Sequence, residues 1–137
     1  MSYKKTIQYF TSNPKYIFLA DGFGALISAF LLSSILFKLE KIFGIPGQML
    51  FILTIPPIGF AIYDLGCFLF FKKNYSLKLN IIASGNLAYC LLSLTLAFYY
   101  FNPITFWGWI YLLFEILIVS IVAIIELQIS KKINRNG

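Results

Sequence analysis

Three acidic residues, Asp21, Asp64 and Glu115, stand inside long apolar stretches of a 137-residue chain whose spans contain no Lys, Arg or His. An ionised carboxylate at the centre of a hydrocarbon layer costs about 2.5 to 3.5 kcal/mol even on the lenient insertion scale. No basic side chain at the same depth can offset that cost, although Lys15, Lys72 or Lys78 could snorkel inward toward Asp21 or Asp64. Three states relieve it: a protonated carboxyl, a carboxylate facing a wetted cavity, or a carboxylate holding a cation. Asn86, Tyr63, Tyr89 and Tyr111 supply groups that can hydrogen-bond a protonated acid. The chemistry suited to this set is therefore the binding of a proton or a cation by Asp21, Asp64, Asn86 and Glu115, assisted by Tyr63 and Tyr111. The same groups also suit plain helix-to-helix hydrogen bonding, worth roughly 0.6 to 2 kcal/mol per contact in a membrane.

Other chemistries lack their residues. With no His, and with Cys67 and Cys90 at different depths, neither a disulfide nor zinc, haem or His-based catalysis has the side chains it needs. Gly22 and Gly24 are too few for a phosphate-cradling loop. No cofactor is expected, and no enzyme.

The elements that must position the acids follow from hydropathy. The chain is 60% hydrophobic and 12% charged, whereas a soluble domain carries about a quarter of its residues as charges. Apolar runs at about 17–37, 48–71, 79–101 and 104–128 each match the ~20 residues that cross a bilayer as a helix. They imply an all-α polytopic integral membrane protein, a single compact domain of four transmembrane helices. Asn13 and Pro14 read as the cap and first residue of the first helix, and Asn102 with Pro103 repeat that pattern before the fourth. Gly44, Pro46 and Gly47 stop the first run, Pro56 and Pro57 should kink the second, and Asn74, Tyr75 and Ser76 read as a turn into the third. Tyr3, Ile7 and Phe10 have the spacing of a short interfacial helix. The first span has no convincing cleavage site after it and is expected to stay attached.

Counted from the span ends, Asp21, Asp64 and Asn86 each lie seven or eight residues in, roughly 10 Å deep, and Glu115 lies near mid-span. Asp21, Gly24 and Ser28 share one stripe of their helix; Gly108, Tyr111, Glu115 and Glu126 share another on theirs. A bundle could thus gather one polar group from each helix. Glu126, close to the predicted end of the fourth span, is expected to be solvated.

Charge sets the orientation. Nine of the eleven basic residues (Lys4, Lys5, Lys15, Lys72, Lys73, Lys78, Lys131, Lys132 and Arg135) fall on one side, against Lys38 and Lys41 on the other. The positive-inside rule then places both termini in the cytoplasm. Tyr99, Tyr100, Phe101, Phe106, Trp107 and Trp109 crowd the outer turn as an aromatic belt. The basic excess is explained by topology, so no nucleic-acid partner is implied; the partners expected are the lipid bilayer and either further copies of the chain or a larger membrane protein. Ten Lys to one Arg, with many Ile, Asn, Phe and Tyr, suggest an AT-rich bacterial source and hence an inner membrane.

Four short spans with embedded acids resemble in architecture the small multidrug-resistance transporters, which are of similar size and work as dimers. Their diagnostic glutamate lies in the middle of the first helix, where this chain has only an off-centre Asp21, so the resemblance assigns no residue a role. The sequence supports two functions: a small transporter-like protein that handles a proton or cation through a buried acidic cluster, and an accessory membrane subunit whose acids are packing glue.

Overall fold

The computed structural model describes residues 3–70 and 73–136, and all the elements in them are helices. Phe71 and Lys72, expected as the end of the second span and one of the basic flanks, lie outside the described residues. A short amphipathic helix α1 (Tyr3–Ser12) precedes α2 (Lys15–Phe30), which continues through one π-helical turn, Leu31–Ile35, into a single turn α3 (Leu36–Lys38). Leu39 leaves helical geometry, and one further turn, α4 (Glu40–Phe43), ends at Gly44. The long helices α5 (Gly47–Leu69), α6 (Tyr75–Tyr99) and α7 (Phe106–Asn136) follow. Four helical stretches are long and apolar enough to cross a membrane: Lys15–Ser34, Gly47–Leu69, Tyr75–Tyr99 and Phe106–Ile133.

The element ends differ from expectation at several places, each for a local reason. Asn13 does not cap α2; its side-chain amide donates back to the Tyr9 carbonyl at 3.2 Å, because the end of α1 immediately before it leaves carbonyls in need of donors. Tyr75 and Ser76 are helical rather than part of the turn; Asn74 immediately before them takes the left-handed conformation, φ 56°. The last helix starts at Phe106 and runs well past residue 128, to Asn136. Helix α5 continues through Pro56 and Pro57.

Packing is closest within two hairpins, α2 with α5 and α6 with α7, and these lie side by side. Gly22 is buried at the α2–α5 contact, where an added Cβ would lie 3.3 Å from the Cβ of Asp64. Two apolar cores result. One, at the end that holds both termini, gathers Ile7, Phe18, Leu79, Ile82 and Ile129. The other, toward the far end, gathers Leu36, Met49, Leu53, Ala97 and Leu112.

The far end is closed by a backbone clasp. Gly44 turns the chain with φ 68°, and the carbonyl of Phe43 then accepts the Thr105 amide at 3.1 Å while the Thr105 hydroxyl donates to the Ile42 carbonyl at 2.5 Å. Gly108 lets that strand of loop lie flat on α7, because any Cβ there would collide with the Phe43 carbonyl. The exterior is apolar: Phe23, Phe51, Ile62, Leu91 and Phe114 are each at least 60% exposed, one or two from every long helix. A monomeric soluble protein rarely presents so continuous an apolar surface.

Candidate functional site

The buried acids form two clusters on the inner faces of the hairpins. They are separated along α7 by the eleven positions from Glu115 to Glu126, about three turns or ~16 Å. A spacing of three whole turns puts both glutamates on one face of α7. Asp21 and Ser28, two turns apart on α2, have the same relation.

The cluster nearer the termini contains Asp21, Asp64, Asn86 and Glu126. Asp64 and Glu126 are fully buried, and Asn86 is nearly so. The amide of Asn86 donates to Glu126 Oε1 at 3.0 Å, joining α6 to α7. Asp64 lies against α2 beside Asp21, at the point where a Cβ on Gly22 would be 3.3 Å from its own Cβ. Yet Asp64 Oδ1 and Oδ2, Asp21 Oδ2 and Glu126 Oε2 have no donor. Two carboxylates are both acceptors, so neighbouring acids such as Asp21 and Asp64 can hydrogen-bond each other only through a proton placed between them. The cluster is short of donors, with three carboxyl groups and a single side-chain amide.

The second cluster has the opposite balance. Glu115, 8% exposed, receives the Tyr89 hydroxyl on Oε1 at 2.5 Å and, on Oε2, the Tyr111 hydroxyl at 2.5 Å and the Ser28 hydroxyl at 3.3 Å. Three donors converge on one carboxyl. Aromatic rings back the tyrosines: Phe60 meets Tyr89 edge-on at 6.4 Å, and Phe43 meets Tyr111 at 6.3 Å.

The structure thus divides the set read from the sequence. Asp21, Asp64 and Asn86 come together. Glu115 and Tyr111 form a separate group with Tyr89 and Ser28. Tyr63 belongs to neither, since its hydroxyl donates to the Lys78 carbonyl at 3.2 Å, toward the termini. Glu126, expected to be solvated, is instead fully buried. The reason is the length of α7: two more turns follow it, and Ile129 and Ile133 pack there with Ile7 of α1. Its position eleven residues after Glu115 was the available signal, because residues three turns apart share a face.

Among the described residues no three His, Cys, Asp or Glu side chains converge as metal ligands would. The cluster nearer the termini is rich in acceptors and short of donors, whereas Glu115 is surrounded by hydroxyl donors. A comparison with protein-family models, with curated proteins and with solved structures finds no match to the chain.

Proposed function

We propose that the chain is a small multi-pass protein of the bacterial inner membrane, with both termini cytoplasmic, whose Asp21–Asp64–Glu126 cluster takes up and releases protons as part of a transport cycle. The carrying observation is Asp64: fully buried, both oxygens without a donor, and beside a second acid on α2, while the basic residues of the spans, Lys15, Lys78, Lys131 and Lys132, stand near the span ends. Two carboxylates at such short range in hydrocarbon do not both stay ionised, and the shared proton between them is the exchangeable species. Lys38 and Lys41 against nine basic residues on the opposite side support the orientation. Outward-facing Gly24 and Gly59, with open space where a Cβ would be, leave room for a second copy of the chain to pack closely.

The accessory reading, in which the acids are hydrogen-bond glue, has the buried Asn86–Glu126 bond in its favour. Asp64→Asn separates the two. The amide donates to Asp21 where the shared proton lay, so the fold should persist in both cases. In liposomes holding a pH-sensitive dye, under an imposed membrane potential, wild-type protein should take up protons and Asp64→Asn should not. The infrared carbonyl band of a protonated carboxyl should be lost with the same substitution. Equal proton uptake by wild type and variant would reject the proton cycle and leave the accessory role.

A further inference from the structure

Helix α1 is pinned to the end of α7 by apolar contact. Ile7, 3% exposed, packs among Ile129 and Ile133, and this brings the exposed Lys4 of α1 to the same corner of the bundle as the exposed Lys131 and Lys132 of α7. Among the described residues no Asp or Glu stands exposed beside them. All five acids of the chain are accounted for: Asp64, Glu115 and Glu126 are buried, Asp21 lies inside α2, and Glu40 stands on α4 at the opposite end. The fold thus gathers three like charges at one corner, where an anion would relieve their repulsion.

The surface that leads to this corner is apolar. On α7 the exposed residues Leu117, Ile121, Ile124, Gln128 and Lys131 recur at steps of three and four, so one outward stripe runs from the middle of the span to its basic end. An anion borne by a soluble protein or a nucleic acid would meet the lysines and leave that stripe uncovered. A phospholipid carries its phosphate directly above its acyl chains and covers both. Compact ammonium groups with rotatable donors suit a phosphate, and basic residues where helices meet at the membrane surface favour anionic headgroups.

We infer that the corner between α1 and the end of α7 is a binding site for one anionic phospholipid, its phosphate held by Lys4, Lys131 and Lys132 and its acyl chains lying along Leu117, Ile121 and Ile124. The bound lipid ties α1 to the bundle and so keeps covered the end of α7 that buries Glu126. The inference rests on the membrane-spanning reading of the chain and not on proton exchange at Asp64; loss of the carboxyl infrared band tests that exchange independently, so either can fail alone.

The test titrates the full chain in neutral detergent with phosphatidylglycerol or with phosphatidylcholine of the same acyl chains, and counts bound lipid by native mass spectrometry. Wild-type protein should bind one phosphatidylglycerol at least tenfold more tightly than phosphatidylcholine. The double substitution Lys4→Gln with Lys131→Gln should remove most of that preference, at about fivefold per lysine. A second variant keeps every charge in place: Ile7→Ser loosens α1 from α7 and should weaken phosphatidylglycerol binding at least threefold, while circular dichroism shows the long helices intact. Attraction to net charge alone would leave Ile7→Ser like wild type. Equal binding of the two lipids, no effect of the double substitution, or full binding by Ile7→Ser would each overturn the site. Binding of soluble polyglutamate without any lipid preference would overturn it as well, and place a water-borne acidic partner at this corner instead.

Discussion

Gly22 of α2 lies directly against Asp64 of α5, so close that a Cβ on the glycine would stand 3.3 Å from the aspartate Cβ. The missing side chain is what allows two helices to meet at a buried acid and brings the neighbouring Asp21 carboxyl to that acid. An alanine there requires a shift of a few tenths of an ångström and gains helix propensity, about 1 kcal/mol over glycine. A leucine cannot fit without separating α2 from α5. Gly22→Ala should therefore keep near wild-type stability, whereas Gly22→Leu should lose about 1 to 3 kcal/mol through overpacking. Unfolding in mixed micelles, followed by circular dichroism, measures both.

The clasp at the far end makes a separate prediction. Gly108→Ala drives a methyl into the Phe43 carbonyl, and that carbonyl must move away from the Thr105 amide that it accepts. Loss of this hydrogen bond together with the steric shift should cost about 1 to 3 kcal/mol. Amide hydrogen exchange should rise at Thr105 while the Asn86–Glu126 end is unaffected; protection unchanged at Thr105 would mean that the clasp holds nothing.

Orientation can be read by labelling. Lys73 and Asn102 are both exposed and lie at opposite ends of α6. With Cys67 and Cys90 removed, Asn102→Cys should react with an impermeant thiol reagent in intact cells and Lys73→Cys only after the membrane is opened. The reverse pattern would place the termini outside.

The outward glycines offer a test of association. Gly24 and Gly59 meet nothing within 4 Å, so a bulky residue at either leaves the isolated bundle unstrained but blocks close approach by another helix. Gly59→Leu should shift a dimer toward monomer at least tenfold without lowering the unfolding transition. Detergent-corrected mass measurement over a range of protein-to-detergent ratios reads the shift, and a wild-type chain that is monomeric throughout would rule out self-association.

For a chain of this composition much is settled locally. Run length and the stops at Pro14, Gly44, Pro46, Asn74 and Pro103 define four long helices, because helix ends depend on residues within a turn of them. The absence of any basic residue from the apolar runs already requires that acids such as Asp64 find protons, water or cations. Which acids meet which is another matter. A helix that is apolar on nearly every side has no amphipathic stripe to indicate its rotation, so neither α6 nor α7 reveals in its sequence which face turns inward. Only packing shows that Gly22 brings Asp21 to Asp64, that Tyr89 reaches Glu115 while Asn86, one turn earlier, reaches Glu126, and that α1 covers the end of α7 and buries Glu126. These are contacts between residues far apart in sequence, as between Ser28 and Glu115, 87 positions apart, and they depend on the fit of side chains across two hairpins rather than on any local pattern.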